Sequence, residues 1–239
     1  RVKNYKKSNI FARIRDSFNK TFIVEGRYKL IVNGLLATLL ISICGFILAN
    51  LFGALFCAMD MSKHKVLKGI YNVYSYVING TPILVIMMIL FYIIFGKSTI
   101  PGHFIAILGF GFIFGCNLAM VFKSGIEGVD KGQKEASLAL GFTRKQTFTN
   151  IVLPQAFRKV LPSYFACLID LIKATSIVGY ITVMDLTKAG DIIRSASFEA
   201  FFPLIAIALI YFGITAILLT AMKAIQKSLS KRKTKKEDK

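Results

Sequence analysis

Long stretches without a charged residue constrain this chain more than any other feature. Crossing the hydrocarbon core of a bilayer takes about 20 predominantly apolar residues in helical form. A helix of a soluble core would instead alternate polar and apolar faces. The long apolar runs predict an all-α, polytopic membrane protein with about five core transmembrane helices. The runs are Leu30 to Met59, Gly69 to Gly96, Ser98 to Phe122, Ala200 to Met222, and Val160 to Met184, which is interrupted only by Asp170 and Lys173.

The basic residues lie between these runs and in the C-terminal tail. The formal net charge of +19 would also suit a nucleic-acid-binding protein. Cytoplasmic loops of membrane proteins carry an excess of Lys and Arg, however, so we attribute the charge to membrane topology and expect no nucleic-acid partner. With five spans, the basic loops at 60–68 and 123–159 and the tail share one side, which is predicted to be cytoplasmic. The N-terminus is then outside, although its own basic residues favour the inside.

Three regions are expected along the chain. Residues 1–29 form a basic linker or an amphipathic surface helix, because apolar residues recur there at helical spacing from Ile10 to Phe22. Residues 30–225 form the transmembrane domain, and residues 226–239 form a basic cytoplasmic tail.

Two local patterns predict features inside the spans. Pro82 lacks a backbone donor and disfavours helical geometry at Thr81, so Gly80-Thr81-Pro82 should break or kink the second span. Broken helices at membrane depth line a cavity or are buried by protein, and both interpretations stay open here. Gly111 and Gly115 form a G-x-x-x-G pattern, which is typical of close helix packing.

Few residues suit catalysis or metal binding. The cysteines lie in apolar runs without metal-ligand spacing, which predicts small packing residues and no metal site. His64 and His103 belong to no nucleophile or metal constellation, which disfavours a membrane enzyme. The cysteines are Cys44, Cys57, Cys116 and Cys167.

The polar segment between the third and fourth runs predicts a helical hairpin. Glu135 to Leu140 is strongly helix-forming, and Gly141 suits a C-terminal cap with positive φ. Thr143 and Gln146 have the spacing of a capping box that begins a second helix. Pro154 is expected to stop or redirect that helix.

This hairpin resembles the signature loop of ABC importer permeases, E-A-A, three residues, G, nine residues, I-x-L-P. Ser137 replaces the second Ala of that pattern. The resemblance implies the type I permease fold, with a coupling helix that docks on an ATP-binding subunit. The residues implied in this loop are Gly132, Gln133, Glu135, Ala136, Ser137, Gly141, Ile151, Leu153 and Pro154.

Further motifs resemble the polar amino acid permeases, the group for histidine, glutamate, glutamine, arginine and opines. The matches are Asn79-Gly80-Thr81-Pro82 to R-G-T-P, Lys131 to Ala136 to K-G-Q-x-E-A, Leu153 to Arg158 with Leu161-Pro162 to L-P-Q-A-x-R-x-x-L-P, Lys173 to Ser176 to K-D-T-S, and Gly34 to Leu39 to G-L-x-x-T-L.

The chain also departs from that group. It has Asn79 for Arg, Asn117 for Tyr, Met120 for Glu, Lys123 for Arg and Ala174 for Asp. Intramembrane acids and bases are normally retained for function, so either the substrate site is less polar here or a partner permease supplies it. The residues expected in the translocation pathway or gate are Asn79, Gly80, Thr81, Pro82, Asn117, Met120, Lys173, Thr175 and Ser176.

Asp170 and Lys173 form an i,i+3 pair inside the fourth run. A single charge in lipid is costly, so the two should pair or face the bundle interior. A structural ion pair and a contact with substrate or gate are both compatible with the sequence.

The resemblance implies the permease subunit of an ATP-driven importer for polar amino acids, working by alternating access. The implied partners are a dimer of cytoplasmic ATP-binding subunits, a second permease chain, and an extracytoplasmic amino-acid-binding protein or a binding domain fused ahead of Arg1. No cofactor is implied. The chain lacks a G-x-x-x-x-G-K-[ST] phosphate loop, so ATP hydrolysis is assigned to the partner. A non-ABC channel and a regulatory membrane subunit are the alternatives.

Overall fold

A computed structural model describes the backbone of residues 10–237 and the side chains of residues 11, 12 and 14–229. Within this part every regular element is helical. Short π-helical or 3₁₀ segments extend several of the helices, at 19–26, 89–94, 147–152 and 175–181. The helices are α1 (Ile10–Phe18), α2 (Tyr28–Asp60), α3 (Lys65–Gly80), α4 (Ile83–Met88), α5 (Gly102–Glu127), α6 (Lys131–Ala139), α7 (Arg144–Gln146), α8 (Leu153–Ala174), α9 (Leu186–Ser197) and α10 (Phe201–Glu237).

Five stretches of the described chain can cross a membrane by length and composition. Four are unbroken helices, and the fifth consists of α3 followed by Ile83–Ile94. Each stretch corresponds to one of the five apolar runs, so the predicted fold class is confirmed. The four unbroken stretches are Tyr28–Asp60, Gly102–Glu127, Arg144–Ile181 and Phe201–Leu229.

The second span is broken where its proline predicts a break. Thr81 and Pro82 have extended backbone conformations, with ψ values of 134° and 136°. The helix on either side changes direction by 109°. The cause is local, since Pro82 excludes helical geometry at the preceding residue.

The core is the contact between α2 and α5. The G-x-x-x-G pattern faces α2, where a Cβ atom at Gly111 would lie 2.7 Å from Leu48 Cβ and one at Gly115 would lie 2.7 Å from Phe52 Cβ. On the opposing helix, a Cβ atom at Gly53 would lie 2.8 Å from Leu118 Cβ. Small residues on both helices therefore bring the two backbones together, as the pattern predicts.

The two ends of the bundle differ. At one end, called the hairpin end below, α2 and α5 finish and α6 begins. At the other, the far end, α1 lies beside the start of α10: Phe18 packs edge-on against Phe202, and the Ser17 hydroxyl donates to Glu199 at 3.2 Å. Residues 1–9 of the expected N-terminal region lie outside the described residues.

We expect Gly115→Ala to destabilise the protein by about 1–3 kcal/mol, because the added methyl group overpacks the α2–α5 contact. The matched change Gly69→Ala faces open space and should stabilise α3 by up to about 1 kcal/mol, since alanine favours helix. Thermal unfolding in detergent measures both. Shifts of the same sign in the two variants would contradict the packing account.

Candidate functional site

The hairpin has the local geometry that its sequence predicts. Gly141 has φ of +86°, and the N–H groups of Gly141 and Phe142 donate to the Leu138 and Ser137 carbonyls at 3.0 and 3.1 Å. This pair of bonds is the Schellman arrangement, which needs a residue in the left-handed region at the helix end. Thr143 and Gln146 form the predicted capping box. Hydrogen bonds within the hairpin therefore end its first arm and begin its second.

Most of the predicted coupling residues lie on the hairpin's outer surface. Glu135, Ala136 and Gly141 are exposed, and Leu140 between them has 80% of its surface exposed. An apolar side chain this exposed, bordered by small residues, is suited to a pocket on another protein. Also exposed are Gly132, Gln133, Leu153 and Pro154, while Ile151 is half-buried.

Ser137 has a different position from its neighbours. It is buried, and its Oγ lies 2.9 Å from Thr147 Oγ1 on the second arm. The serine that replaces alanine in the signature thus joins the two arms and adds no docking surface.

Pro154 was expected to stop or redirect the second helix. It does not stop that helix, so the first of these alternatives is wrong. Helical structure continues from Arg144 to Ile181. Residues Thr147–Val152 form a π-helical turn, and Pro154 follows it within the first turn of α8. Pro154 has no N–H group to donate, so it interrupts the backbone bonding of this helix without ending the helix.

The hairpin is fastened to the spans by bonds to carbonyl groups at the end of α5. Lys134 Nζ donates to the Ile126 carbonyl at 3.1 Å, and Lys159 Nζ donates to the Gly128 carbonyl. Val129 and Val152 are buried together beneath it. The carbonyl groups that the helix end leaves free are thereby satisfied, and the hairpin is positioned by α5 and α8.

An ion pair joins α2 and α5 at the same end. Lys123 Nζ lies 2.9 Å from Asp60 Oδ2, and the Asp60 side chain is only 10% exposed. Lys123 stands where arginine is usual in the resembling group, and the structure identifies Asp60 as its partner. Asp60 directly follows the first apolar run, and this position is the sequence signal that could have identified it as the partner.

An open groove runs along the hairpin half of α3. Its volume is about 670 Å³, and Asn72, Ser75, Met120 and Lys123 are among the residues that line it. A second groove of about 560 Å³ continues past Asn79 and Gly80 to the helix break. Of the predicted pathway residues, the structure brings Asn79, Gly80 and Met120 to these grooves.

Asn79 is held within the groove wall. Its Nδ2 donates to the Ser75 carbonyl at 2.8 Å and lies 3.6 Å from Cys116 Sγ on α5. Asn117, the next residue on α5, is half-buried and lines neither groove. Thr81 is half-buried and Pro82 exposed at the break.

Thr175, another of the residues expected in the pathway or gate, lines neither groove. It is fully buried, and its hydroxyl donates to the Ile172 carbonyl at 2.6 Å. It belongs to a polar network at the far end, where the hydroxyl groups of Thr38 and Thr175 approach that of Tyr211. Ser176, one residue on, is half-buried.

Asp185 is the centre of that network, and sequence reasoning missed it. The fully buried carboxylate caps α9 by accepting from the Thr187 and Lys188 N–H groups at 2.9 and 2.8 Å. Burial raises the pKa of this carboxyl above its ordinary value, and the two backbone bonds oppose that rise. The Leu186 N–H donates to Thr38 Oγ1 on α2 at 3.0 Å, so the network locks α9 to the first span.

Asp170 and Lys173 form the expected pair. Lys173 Nζ lies 2.9 Å from Asp170 Oδ1, with the two side chains 55% and 62% exposed respectively. They continue an exposed face of α8 that has small or polar residues at each turn, Lys159, Ser163 and Ala166. Lipid tails cannot solvate such a face. In the membrane it must meet water or protein.

Comparisons with known proteins identify the family of the chain and its fold. Residues 49–232 match the family described as binding-protein-dependent transport system inner membrane component. The chain belongs to that family. The permease is 34% identical to a probable amino-acid ABC transporter permease protein, YckA, of Bacillus subtilis, over 88% of this chain and 93% of that one.

Other relatives are also matched over most of their length. The permease is 32% identical to a putative glutamine transport system permease protein, GlnP, of Rickettsia typhi, over 83% of this chain and 92% of that one. A crystal structure of an amino acid ABC transporter with histidines matches with a TM-score of 0.78 and 30% identity, over 87% of this chain and 98% of that one. The MetNI methionine ABC transporter, at 18% identity and a TM-score of 0.68, shares the fold.

We expect Asp60→Asn to destabilise the permease by about 1–3 kcal/mol, because Lys123 loses its main partner in a partly buried site and keeps only Glu127, at 3.9 Å. The double change Asp60→Leu with Lys123→Met should recover most of the loss. Thermal unfolding measures these effects.

The matched control is Asp191→Asn, which breaks the half-exposed Asp191–Arg194 pair and should change stability little. A loss there as large as at Asp60 would contradict the assignment of Asp60–Lys123 as a buried structural pair.

Proposed function

We propose that this chain is the permease subunit of an ATP-driven importer of polar amino acids. Its family is that of binding-protein-dependent transport components. Relatives that it matches over most of their length carry names of glutamine or amino-acid permeases. The observation that carries the proposal is the exposed hairpin, fastened by both arms to spanning helices.

The hairpin is the docking element for an ATP-binding subunit. Leu140 is its anchor, flanked by Ala136 and Gly141, whose lack of bulk lets a partner surface approach. The Schellman turn, the capping box and the Ser137–Thr147 contact make the hairpin stiff. A stiff element transmits displacement to α5 and α8, so closure of the ATP-binding subunits moves the spans.

The hairpin end is cytoplasmic in this proposal. The basic loops at 60–68 and 123–159 meet at that end, which agrees with the excess of positive charge in cytoplasmic loops. The C-terminus of α10 is then inside and the start of α2 outside. A substrate-binding protein, or a binding domain fused ahead of this chain, delivers substrate to the far end.

The translocation pathway lies along two polar faces. One is the face of α3 that carries Asn72, Ser75 and Asn79, and the other is the face of α8 that carries Asp170 and Lys173. Both are exposed in a single chain, and neither is suited to lipid. A second permease chain, identical or homologous, encloses them, and rocking of the two chains opens the cavity alternately to each side.

We expect Leu140→Lys to weaken docking of the ATP-binding subunit. The side chain is 80% exposed, so the fold is unaffected, while loss of an apolar anchor weakens association by about tenfold or more. Copurification of the ATP-binding subunit and ATP-driven uptake of labelled amino acids measure the effect.

The matched control is Phe198→Lys, the same kind of change at a side chain 92% exposed at the far end. It should leave the complex intact. If the ATP-binding subunit copurified with Leu140→Lys as well as with the unchanged permease, the hairpin would not be the docking element.

Exchanging the charges of the α8 pair tests the pathway. Asp170→Lys with Lys173→Asp preserves an i,i+3 ion pair, so stability and the complex with the ATP-binding subunit should be retained. Uptake should nevertheless fall to a small fraction, because a charged substrate group would meet the opposite field. Full uptake would assign the pair a structural role alone.

A further inference from the structure

An apolar pocket of about 460 Å³ lies between the hairpin and the spans. The end of α2 contributes Ala54 and Ala58, the end of α5 contributes Phe122, and the start of the hairpin's second arm and of α8 contributes Phe148 and Phe157. All its lining side chains are apolar or carry sulfur. Water gains few hydrogen bonds in such a pocket, so an apolar occupant is favoured.

The pocket continues the lipid-facing side of α2. Large aliphatic side chains recur along that side every three or four residues and are 55–64% exposed. The two pocket alanines continue the same spacing beside Leu55, which is itself exposed, and the recess opens next to them. An acyl chain that lies along the stripe therefore has a continuous apolar path into the pocket. The stripe consists of Leu36, Leu40, Ile43, Ile47 and Leu51.

Basic residues lie close in sequence to two of the pocket's aromatic side chains. Arg144 and Lys145 precede Phe148 by one helical turn, and Arg158 follows Phe157; all three are exposed. Of the acids at this end, Asp60 and Glu127 lie within 4 Å of Lys123, at 2.9 and 3.9 Å, and Asp130 accepts from the Gly132 N–H at the start of α6. Lys and Arg outnumber Asp and Glu in the loops at 60–68 and 123–159, so the charge at this end favours an anionic group.

We propose that this pocket binds the acyl chain of an anionic phospholipid, with its phosphate near Arg144, Lys145 and Arg158. The bound chain fills the space between the hairpin, at Phe148, and the first span, at Ala58. The lipid thus supports the hairpin from behind. Binding itself requires no ATP-binding subunit, so its test is independent of the transport function.

The full chain contains no Trp, so a single introduced Trp reports on its surroundings. We choose Phe148→Trp as the pocket reporter and Ile43→Trp as the control on the lipid-facing stripe. Each variant is reconstituted in phosphatidylcholine vesicles that contain increasing phosphatidylglycerol brominated on its acyl chains, which quenches Trp fluorescence on contact.

The pocket reporter should reach half-maximal quenching with about fivefold less brominated phosphatidylglycerol than the control, given the attraction of one basic residue for an anionic headgroup. Brominated phosphatidylcholine should quench both reporters alike. Arg144→Gln with Lys145→Gln should abolish the preference for phosphatidylglycerol.

Filling the pocket with Ala58→Leu should reduce quenching of the pocket reporter to the control level. The matched change Ala208→Leu, at an exposed site on α10, should not alter it. Equal quenching of the two reporters, or quenching that Ala58→Leu leaves unchanged, would overturn the proposal. Quenching weaker than at Ile43→Trp would show that a protein surface covers the pocket, and would also overturn it. If Phe148→Trp fails to fold, Phe157→Trp is the second reporter.

Discussion

The contact between α2 and α5 is the interaction on which the rest of the structure depends. Helices in a bilayer gain little from burying apolar surface, because lipid tails are equally apolar, so association requires close packing. Gly53, Gly111 and Gly115 allow that approach, and the Asp60–Lys123 pair closes the contact at the hairpin end. The hairpin directly follows α5 in sequence and leads into α8, which packs on α5. Its position therefore follows from this one contact.

Polar side chains in this bundle have three kinds of environment. Some pair across helices at the hairpin end, as Asp60 does with Lys123. Others are buried with complete hydrogen bonding, as Asp185 is beneath α9. A third set, typified by Asp170 and Lys173, stays exposed on a spanning helix. Because lipid tails solvate no charge, the third set marks the faces of the chain that meet water or another protein.

The hairpin combines stiffness with an apolar surface on each side. Its outer surface presents Leu140, and Phe148 on its second arm borders the pocket at the ends of α2 and α5. Because the hairpin is fastened to α5 and α8, the proposed coupling mechanism has all three move together. In the same proposal, a lipid in the pocket behind the hairpin affects how its displacement reaches the first span.

Features set by neighbouring residues could be predicted from the sequence. The five spans follow from the length of apolar runs, the break at Thr81 from the proline after it, and the Gly141 and Thr143 caps from dihedral preferences and hydrogen-bonding side chains within a few residues. Each depends on chemistry that acts within one or two helical turns. Asn79, Gly80 and Met120, which the sequence analysis assigned to the translocation pathway or gate, lie at two grooves.

Only the tertiary structure decided which side chains meet across helices. Thr175 lies next to pathway-like residues in sequence, yet packing against α2 and α10 buries it. Pro154 follows a π-helical turn whose widened geometry no local rule indicated. Asp60 acquires its role from a partner 63 residues away along the chain, and Leu186, next to Asp185, bonds to a threonine 148 residues away. The sequence by itself determined the spans, their break and the hairpin's caps, because helix formation and capping are local. The tertiary structure decided which polar groups are buried, paired or exposed, because that depends on distances between segments far apart in the chain.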